Sequence, residues 1–534
     1  MILRIGPLVF YAFIALSVAL AVSGTLVSGL WWGLVITVPL TLLGLWDVSQ
    51  RRHSVLRNYP LIGHLRFLFE DVGPEMHQYM VESNTAGRPF SRDQRSLMYA
   101  RAKREPDQKA FGTELDVYGS GFTWINHSIA PRPEPDDPGR ELRVMVGGPQ
   151  CTRPYSASVL NISGMSFGAL GANAVLALNG GARAGNFAHN TGEGGISRYH
   201  REPGGDLVWQ VGTGYFGCRT SDGRFDEGMF ADQAQDDQVK MVEVKVSQGA
   251  KPGHGGILPA AKVSPEIAQA RAIGVGEACI SPPYHTAFST PIELTEFIGK
   301  LRDLAGGKPI GIKLCIGHFS EFLGVCKAML ETEILPDFIT VDGAEGGTGA
   351  APLEFSDHVG TPLKEGIVLV RNALVGTGLK DRIQVAASGK IVSAFEMTSA
   401  MALGADWCNS ARGFMFALGC LQTQRCHTNR CPVGITTQNA RLQRALVVPE
   451  KAERVRYFHH NTVRSLGEVI AAAGLEHTSQ LRPGHLRQRT SLWEIKTFNE
   501  LYEFVAPGEL LDGGDGNPLH RFWQMASARS FQHI

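Results

Sequence analysis

The stretch "IQVAASGKIVSAFEMTSAMALGADWCNSARG", Ile383 to Gly413, places one helical pattern between two short β-rich runs. The first run, 383–388, leads into "SGK", and the second, 406–411, leads into "ARG". Between them the apolar residues recur at helical spacing. This order of strand, loop, helix, strand and loop predicts an α/β fold with parallel strands and small-residue loops after the strands.

Six further β-rich runs precede this stretch, with helical or glycine-rich segments between them. The eight predicted strands are 158–163, 186–190, 207–212, 242–247, 310–316, 338–343, 383–388 and 406–411. Eight such repeats over about 260 residues predict a TIM (βα)8 barrel with its functional loops at the C-terminal face. A doubly wound sheet is the alternative. It is disfavoured because no G-x-G-x-x-G motif with a later acidic residue follows the first strand.

The loops after the seventh and eighth strands are where TIM barrels usually bind a phosphorylated cofactor. Here both loops combine small residues with a cation, which suits an anion, although plain barrel loops remain the alternative. The predicted phosphate-binding residues are Ser388, Gly389, Lys390, Ala411, Arg412 and Gly413. On the fifth strand, Lys313 would point into the barrel mouth. A buried lysine needs a partner, and the edge of a flavin that becomes anionic on reduction is a suitable one.

The N-terminus contains no charged residue from Ile5 to Trp46, a run of 42 positions. One helix needs only about 20 residues to cross a bilayer, so two spans with a turn at 23–29 fit this length. Arg4 before the spans and Arg51 after them place both ends in the cytoplasm. We therefore expect a multi-pass protein of the cell (inner) membrane whose catalytic domain faces the cytoplasm. A cleaved signal peptide is the alternative.

The charge balance is even, with 51 basic and 51 acidic side chains, and indicates no nucleic-acid partner. The lipid bilayer is instead an expected partner. The predicted segments are two transmembrane helices (1–50), a linker and N-terminal extension (51–150), the barrel (151–418), a cysteine loop (419–440) and a C-terminal helical segment with a tail (441–534).

Three of the nine cysteines, Cys420, Cys426 and Cys431, lie within twelve positions of one another, and Pro432 follows the last. Soft thiolate ligands at this density indicate a metal site. Three thiolates without a fourth ligand suit an iron–sulfur cluster that lacks one iron corner. A zinc ion completed by His427, or no metal at all, are the alternatives.

Six motifs, in this order, resemble the FMN-binding synthase domain of glutamate synthases, and most closely its membrane-tethered branch. They are "SGMSFGAL" (163–170), "NTGEGG" (190–195), "QGAKPGHGG" (248–256), "ISPPYH" (280–285), "DGAEGGTGAAP" (342–352) and "CHTNRCPVGITTQ" (426–438). The resemblance covers about 380 residues, from near Phe111 to near Leu486. It implies that the three cysteines hold a three-iron four-sulfur (3Fe-4S) cluster. It also implies that FMN contacts Ser163, Met165, Ser166, Gln248, Lys313, Gly346 and Gly347.

The resemblance further implies a reaction in which reduced FMN gives a hydride to the imine of 2-oxoglutarate, or a related keto acid, and ammonia or an amine. Glu193 then matches the active-site glutamate, and Lys251 and Arg271 match the cations that bind the keto acid. Without the resemblance, these two cations would be interpreted as a solvated loop lysine and a helix-surface arginine. His254 and Ile257 depart from the family, which commonly has glutamate and glutamine there, and they leave the substrate open.

Membrane spans occupy the end where glutamate synthases carry a glutaminase domain, so we expect no glutaminase chemistry. We expect no nicotinamide-binding domain either. The resemblance therefore implies an electron-donor protein, such as ferredoxin or a membrane redox partner. One alternative keeps the fold and changes the chemistry, a methylamine–glutamate N-methyltransferase (N-methylglutamate synthase) subunit. Another is a membrane-bound, non-catalytic partner of a redox complex.

Overall fold

The structure is a computed structural model that describes residues 2–271, 273–513 and 516–532. The first and last predicted segments, 1–50 and 441–534, therefore each include residues outside the described ranges. The chain forms two compact units, Met1–Arg92 and Asp93–Ile534.

The first unit is helical. Its two long helices are Ile2–Gly24 and Trp31–Ser49, which pack together through a hydrogen bond of 3.1 Å between the Ser17 and Thr41 hydroxyls. Both helices are long and apolar enough to cross a membrane. The predicted pair of apolar helices is thus confirmed as structure. The unit continues with helices Ser54–Asn58 and Gly63–Met76 and the π-helix His77–Val81.

The second unit contains a closed barrel of eight parallel strands. In chain order they are β1 (Leu160–Ile162), β2 (His189–Asn190), β3 (Leu207–Val211), β4 (Val239–Lys245), β5 (Ile310–Leu314), β6 (Phe338–Asp342), β7 (Gln384–Ser388) and β8 (Trp407–Ser410). Strand β8 closes the barrel by pairing with β1, with Cys408 opposite Leu160. Seven strands lie within the predicted runs, and β4 overlaps its run, 242–247, but begins three residues earlier. The TIM-barrel prediction is confirmed.

Helices surround the barrel, and capping residues fix where several of them begin. Thr290 and Glu293 form a capping box at one helix, and Ser393 and Glu396 form another. The longer helices are Arg92–Lys103, Ala172–Gly185, Glu227–Ala234, Pro291–Leu304, Phe319–Thr332, Leu363–Gly376, Ala394–Leu403 and Val448–Ala472. The shorter ones include Pro138–Glu141, Arg198–Arg201, Pro265–Arg271, Leu353–His358, Arg412–Leu418, Ala440–Gln443, Phe498–Leu501 and His520–Met525.

The barrel interior changes from apolar to polar toward its C-terminal mouth. A buried cluster that includes Met241, Phe338 and Trp407 fills one part of the core. Farther along β4, Glu243 is 1% exposed and accepts hydrogen bonds of 2.8 Å from Asn190 and 2.7 Å from Thr340. Burying a polar group is costly unless it is hydrogen-bonded, so this network stabilises a polar layer of the barrel interior just below the mouth.

Among the described residues, three small sheets lie outside the barrel. One is a three-stranded antiparallel sheet in which Leu486–Arg489 pairs with both Thr123–Ile125 and Ile495–Thr497. Strand Arg143–Val146 pairs with Tyr155–Ser158, and strand Ile257–Leu258 pairs with Cys279–Ile280. The sequence indicated only helix and polar tail at the C-terminus. Strands of three or four residues carry too little periodicity to be recognised, so the sheet that joins this tail to the N-terminal extension was missed.

Candidate functional site

An ion pair at the barrel mouth is the centre of the candidate site. Lys245 is the last residue of β4 and points inward like Glu243, two residues earlier. Its Nζ lies 3.1 Å from Oε1 of Glu193, in the loop after β2, and donates a hydrogen bond of 2.8 Å to Oε1 of Gln248. A Cβ atom on Gly256 would stand 2.5 Å from the same Glu193 oxygen. A side chain at Gly256 would therefore displace the Glu193 carboxylate from this position.

Glu193 is surrounded by positive charge. Burial alone would raise its pKa, but Lys245 first, and then Arg271 and Lys251, hold the pKa below its ordinary value. Its side chain is nevertheless 21% exposed, so a small molecule can reach it. The site therefore holds an ionised, accessible carboxylate among three cations.

Lys251 and Arg271 are both buried, at 2% and 5% exposure. Arg271 donates a hydrogen bond of 3.0 Å from Nη2 to the backbone oxygen of Phe167, and its guanidinium lies 5.0 Å from the ring centroid of Phe216. Burial lowers the pKa of Lys251, while the charge of Glu193 raises it. The structure thus brings the three predicted catalytic residues into one electrostatic group, and neither cation is the solvated surface residue of the alternative interpretation.

A small cavity adjoins this group. Its lining includes Glu193, Lys245, Gln248 and His254. The His254 ring stands edge-on to Phe355, with 5.5 Å between ring centroids. Ile257 pairs with Ile280 in the short two-stranded sheet and is absent from the lining. Of the two positions that depart from the family loop, only His254 therefore lines this cavity.

The predicted cofactor residues lie at the C-terminal ends of the strands. The Ser163 and Ser388 hydroxyls, after β1 and in β7, are 3.3 Å apart. Lys313 on β5 lies 3.4 Å from Oδ2 of Asp342. Burial opposes the charge of Lys313, but Asp342 and Glu243 raise its pKa above the ordinary value. The buried lysine therefore has a protein partner, which the sequence did not reveal.

A second cation, Arg412, is half-buried beside the glycine loop after β6. Its Nη2 donates a hydrogen bond of 3.1 Å to the backbone oxygen of Glu345, and a Cβ on Gly347 would come 3.0 Å from its Cζ. Burial lowers the pKa of Arg412 to about 10. Lys390 has a φ of +49° and lowers the pKa of Glu345, which burial raises. The loops after β6, β7 and β8 thus bring Lys390 and Arg412 close to the Glu345 carboxylate.

The other predicted cofactor residues lie in the same loops. A Cβ on Gly192 would come 2.5 Å from the backbone nitrogen of Ser166 and 3.0 Å from that of Met165, so the loops after β1 and β2 touch. The N–H of Gly346 donates a hydrogen bond of 2.8 Å to Gly343. The remaining members of the set are Gly389, which follows β7, and Ala411 and Gly413, which follow β8.

The three loop cysteines are near enough to interact. Burial raises the pKa of Cys420 to about 12, and the charges of Cys426 and Cys431 raise it as well. In the described part of the chain, no three His, Cys, Asp or Glu side chains converge as single-ion ligands. A zinc ion and an iron–sulfur cluster, the two metal interpretations of the sequence, both take thiolate ligands.

The surroundings of Cys431 fit a bound thiolate. Burial alone would raise its pKa, but the backbone N–H of Thr436, its hydroxyl and the N–H groups of Val433 and Ile435 hold the pKa below the ordinary value. The buried Thr436 hydroxyl oxygen has no hydrogen bond of ordinary geometry within the described residues. Burial raises the pKa of Cys426, and the Thr436 hydroxyl opposes that rise. Such preset donors stabilise metal-bound sulfur.

Side chains of the cysteine loop fasten it to two loops of the barrel mouth. Asn429 Nδ2 donates a hydrogen bond of 2.7 Å to the backbone oxygen of Ala261, just beyond the Lys251 loop. Gln438 Nε2 donates to the backbone oxygens of Gly168 at 3.0 Å and Leu170 at 2.9 Å, in the loop after β1. The cysteine loop, the Glu193–Lys251 group and the β1 loop therefore form one connected region.

Comparisons with known proteins show the family of this chain. The family model "Conserved region in glutamate synthase" matches residues 151–476. The glutamate synthase large subunit-like protein YerD of Bacillus subtilis is 35% identical over 515 residues, which cover 88% of this chain and 97% of YerD. The archaeal glutamate synthase (NADPH) of Methanocaldococcus jannaschii is 34% identical over 61% of each chain. This chain thus spans about three fifths of the archaeal relative's length.

Two further comparisons are more limited. The ferredoxin-dependent glutamate synthase 2 of Synechocystis is 37% identical over 230 residues, 42% of this chain and 14% of that protein. A solved structure of a mutant flavocytochrome b2 with pyruvate bound is 14% identical, with a TM-score of 0.41 over 82% of this chain and 91% of that one. The family match over more than half of the chain and the near-complete match to YerD decide the relationship. The chain belongs to the glutamate synthase family of oxidoreductases that act on CH–NH2 donors.

Proposed function

We propose that the protein is an FMN- and iron–sulfur-dependent oxidoreductase that reductively aminates 2-oxoglutarate, or a closely related keto acid, to the amino acid. The observation that carries this proposal is Glu193, an ionised and accessible carboxylate held among Lys245, Lys251 and Arg271 at the barrel mouth. A dicarboxylate substrate matches this charge pattern.

The three cations bind and orient the substrate. Each is largely shielded from water, so a hydrogen bond to a substrate carboxylate is stronger there than at the surface. Lys251 and Arg271 engage the substrate carboxylates, while Lys245 stays beside Glu193 and holds its carboxylate toward the cavity. These contacts place the imine carbon and nitrogen within reach of the acid/base group.

Substrate binding also changes the proton affinity of Glu193. In the free protein the surrounding cations hold its pKa low, so it is a base. Substrate carboxylates neutralise part of that positive charge, which raises the pKa of Glu193 and lets it hold a proton. Glu193 can therefore take up a proton at the amine nitrogen during imine formation and return one when the product nitrogen needs it.

The loops at the barrel mouth contain the residues that are proposed to hold the cofactors. FMN would be held by the β1 loop (Ser163, Met165, Ser166), by Gln248 and Lys313, by Gly346 and Gly347, and by Ser388–Lys390 and Ala411–Gly413. When bound, it supplies the hydride. Lys313, already paired with Asp342, and Arg412 supply the positive charge that a flavin and its phosphate require. Cys420, Cys426 and Cys431 would hold a 3Fe-4S cluster, which supplies single electrons.

The N-terminal unit is proposed to tether the enzyme. Candidate spans Pro7–Gly24 and Ser28–Ser49 would form a hairpin in the cell membrane, with both ends and the barrel in the cytoplasm. Electrons would come from ferredoxin or from a membrane redox partner. The division into segments at 50, 150, 418 and 440 remains a prediction.

The test is product analysis under anaerobic conditions. Protein reduced with a viologen dye is supplied with 2-oxoglutarate and either ammonium or methylamine, and products are identified by mass spectrometry. We expect glutamate from ammonium, and at least a hundredfold less from the Glu193→Gln variant, because that side chain cannot take up a proton. N-methylglutamate as the main product, or no amino acid from the wild-type protein, would contradict the proposal.

A further inference from the structure

A buried lysine outside the proposed substrate group lies next to the cysteine loop. Lys262 ends the short 3-10 helix Ala260–Lys262 and is 3% exposed. Its Nζ donates a hydrogen bond of 2.9 Å to the backbone oxygen of Ala169, in the loop after β1. The preceding residue, Ala261, accepts the hydrogen bond of 2.7 Å from Asn429. Lys262 therefore lies between the cysteine loop, the loop after β1 and the Lys251 loop.

The charge of Lys262 is not paired with a carboxylate of the described residues. Within the described residues, no Asp or Glu oxygen lies within 4 Å of its Nζ. The groups that favour its charged form are Cys426 and Cys431, against a burial that lowers its pKa to about 8. A buried ammonium without a carboxylate partner is costly, and the cysteine loop, whose Asn429 bonds to the neighbouring Ala261, is the adjacent source of negative charge.

We propose that Lys262 is a positioning residue that balances the negative charge of the cysteine-bound cluster and raises its reduction potential. This inference rests on the iron–sulfur part of the proposed function. Reduction adds one electron, and thus one negative charge, to the cluster, with no bond made or broken. A nearby fixed cation stabilises the reduced form more than the oxidised form, so the equilibrium shifts toward reduction. Through Ala169 the same side chain also holds the β1 loop against segment 260–262, to which Asn429 ties the cysteine loop.

The test is the midpoint potential of the cluster in the full-length, anaerobically purified protein, measured by dithionite titration with mediators and EPR detection. For Lys262→Gln we expect the reduction equilibrium constant to fall about tenfold, about 59 mV toward more negative potential for one electron. Lys262→Arg, which keeps the charge, should restore most of the difference. The glutamine variant keeps an N–H donor for the Ala169 oxygen, so a purely structural role would leave the potential unchanged.

Lys308 provides a matched control at the other end of the barrel. It is also 3% exposed, burial also lowers its pKa to about 8, and its Nζ donates to the backbone oxygens of Ala234 at 2.7 Å and Asp236 at 2.6 Å. Lys308→Gln removes an equally buried cation far along the chain from the cysteines. We expect the protein to lose stability while the midpoint potential stays at the wild-type value.

The outcomes separate the two proposals. An unchanged or more positive potential in Lys262→Gln, or an equal shift in the Lys308 variant, would overturn the role of Lys262 and leave the cluster in place. If Lys262→Gln loses its iron, retention of iron by Lys262→Arg and Lys308→Gln supports charge balance, and equal loss in all three overturns it. A wild-type protein that binds no iron or sulfide would overturn the cluster itself, and the inference with it.

Discussion

Replacing Lys245 with methionine removes the cation 3.1 Å from Glu193 while keeping a side chain of similar length. At an effective dielectric constant near 20, two charges at this distance attract each other by about 5 kcal/mol. Desolvation of the pair offsets part of this attraction. Gln248 loses its donor in this variant, while Lys251 and Arg271 remain beside Glu193. We therefore expect Lys245→Met to lower the free energy of unfolding by about 3 kcal/mol.

The pairwise part of this effect comes from a double-mutant cycle of Lys245→Met and Glu193→Gln, measured by urea unfolding at pH 7. We expect a coupling energy of about 2 kcal/mol. Arg464 and Glu468 are a control pair at nearly the same separation, 3.0 Å, but their side chains are 62% and 40% exposed. Their coupling should be only about 0.3 to 0.5 kcal/mol.

The same cycle predicts a pH dependence. The pKa of Glu193 is lowered in the folded protein, so its stabilisation is present above the ordinary glutamate pKa of 4.5 and is lost as the pH falls through the lower folded value. The coupling with Lys245 should disappear over that range. Purely additive effects of the two substitutions at pH 7 would refute the ion pair as the cause of the low pKa.

Three further changes should have defined effects. Gly249→Ala should reduce steady-state activity at least tenfold, because the added Cβ would lie 1.8 Å from the backbone oxygen of Gly343, after β6. Gly516→Ala is the control: its Cβ would have no atom within 4 Å, so activity in the same assay should not change. Arg302→Met, which strands the 1%-exposed Asp337 carboxylate 3.0 Å away, should lower the unfolding free energy by about 3 to 5 kcal/mol in urea titrations. Burial lowers the pKa of His459 to about 3. Between pH 6.5 and that value the imidazole is protonated in the unfolded chain but not in the folded protein, so the free energy of unfolding falls as the pH drops through this range. His459→Gln should lessen that fall by up to about 1.4 kcal/mol per pH unit, and parallel stability curves for the two proteins would contradict this.

The barrel was predictable because its signals are local. Strands such as β3 and β6 are buried along their whole length, so they appear in the sequence as continuous apolar runs. Small residues follow them where loops have to turn toward the mouth. The helix Val448–Ala472 likewise lies in the predicted C-terminal helical segment, 441–534.

The electrostatic partners were not predictable, because each joins distant positions. In "VEVKV" the inward Glu243 and Lys245 alternate with valines, but nothing local indicates that Lys245 meets Glu193, which lies two strands earlier. The pairing of Lys313 with Asp342 arises only when β5 and β6 lie side by side. The burial of Arg271 depends on the Phe216 ring, in the loop after β3.

The most direct test of the proposed reaction is a single turnover. Anaerobic protein with its flavin reduced is mixed with 2-oxoglutarate and ammonium in a stopped-flow instrument, and flavin absorbance is recorded while glutamate is assayed in the quenched mixture. We expect rapid reoxidation with one glutamate formed per flavin, and neither change when ammonium or the keto acid is omitted. A flavin that stays reduced with both substrates present would contradict reductive amination at the Glu193 site.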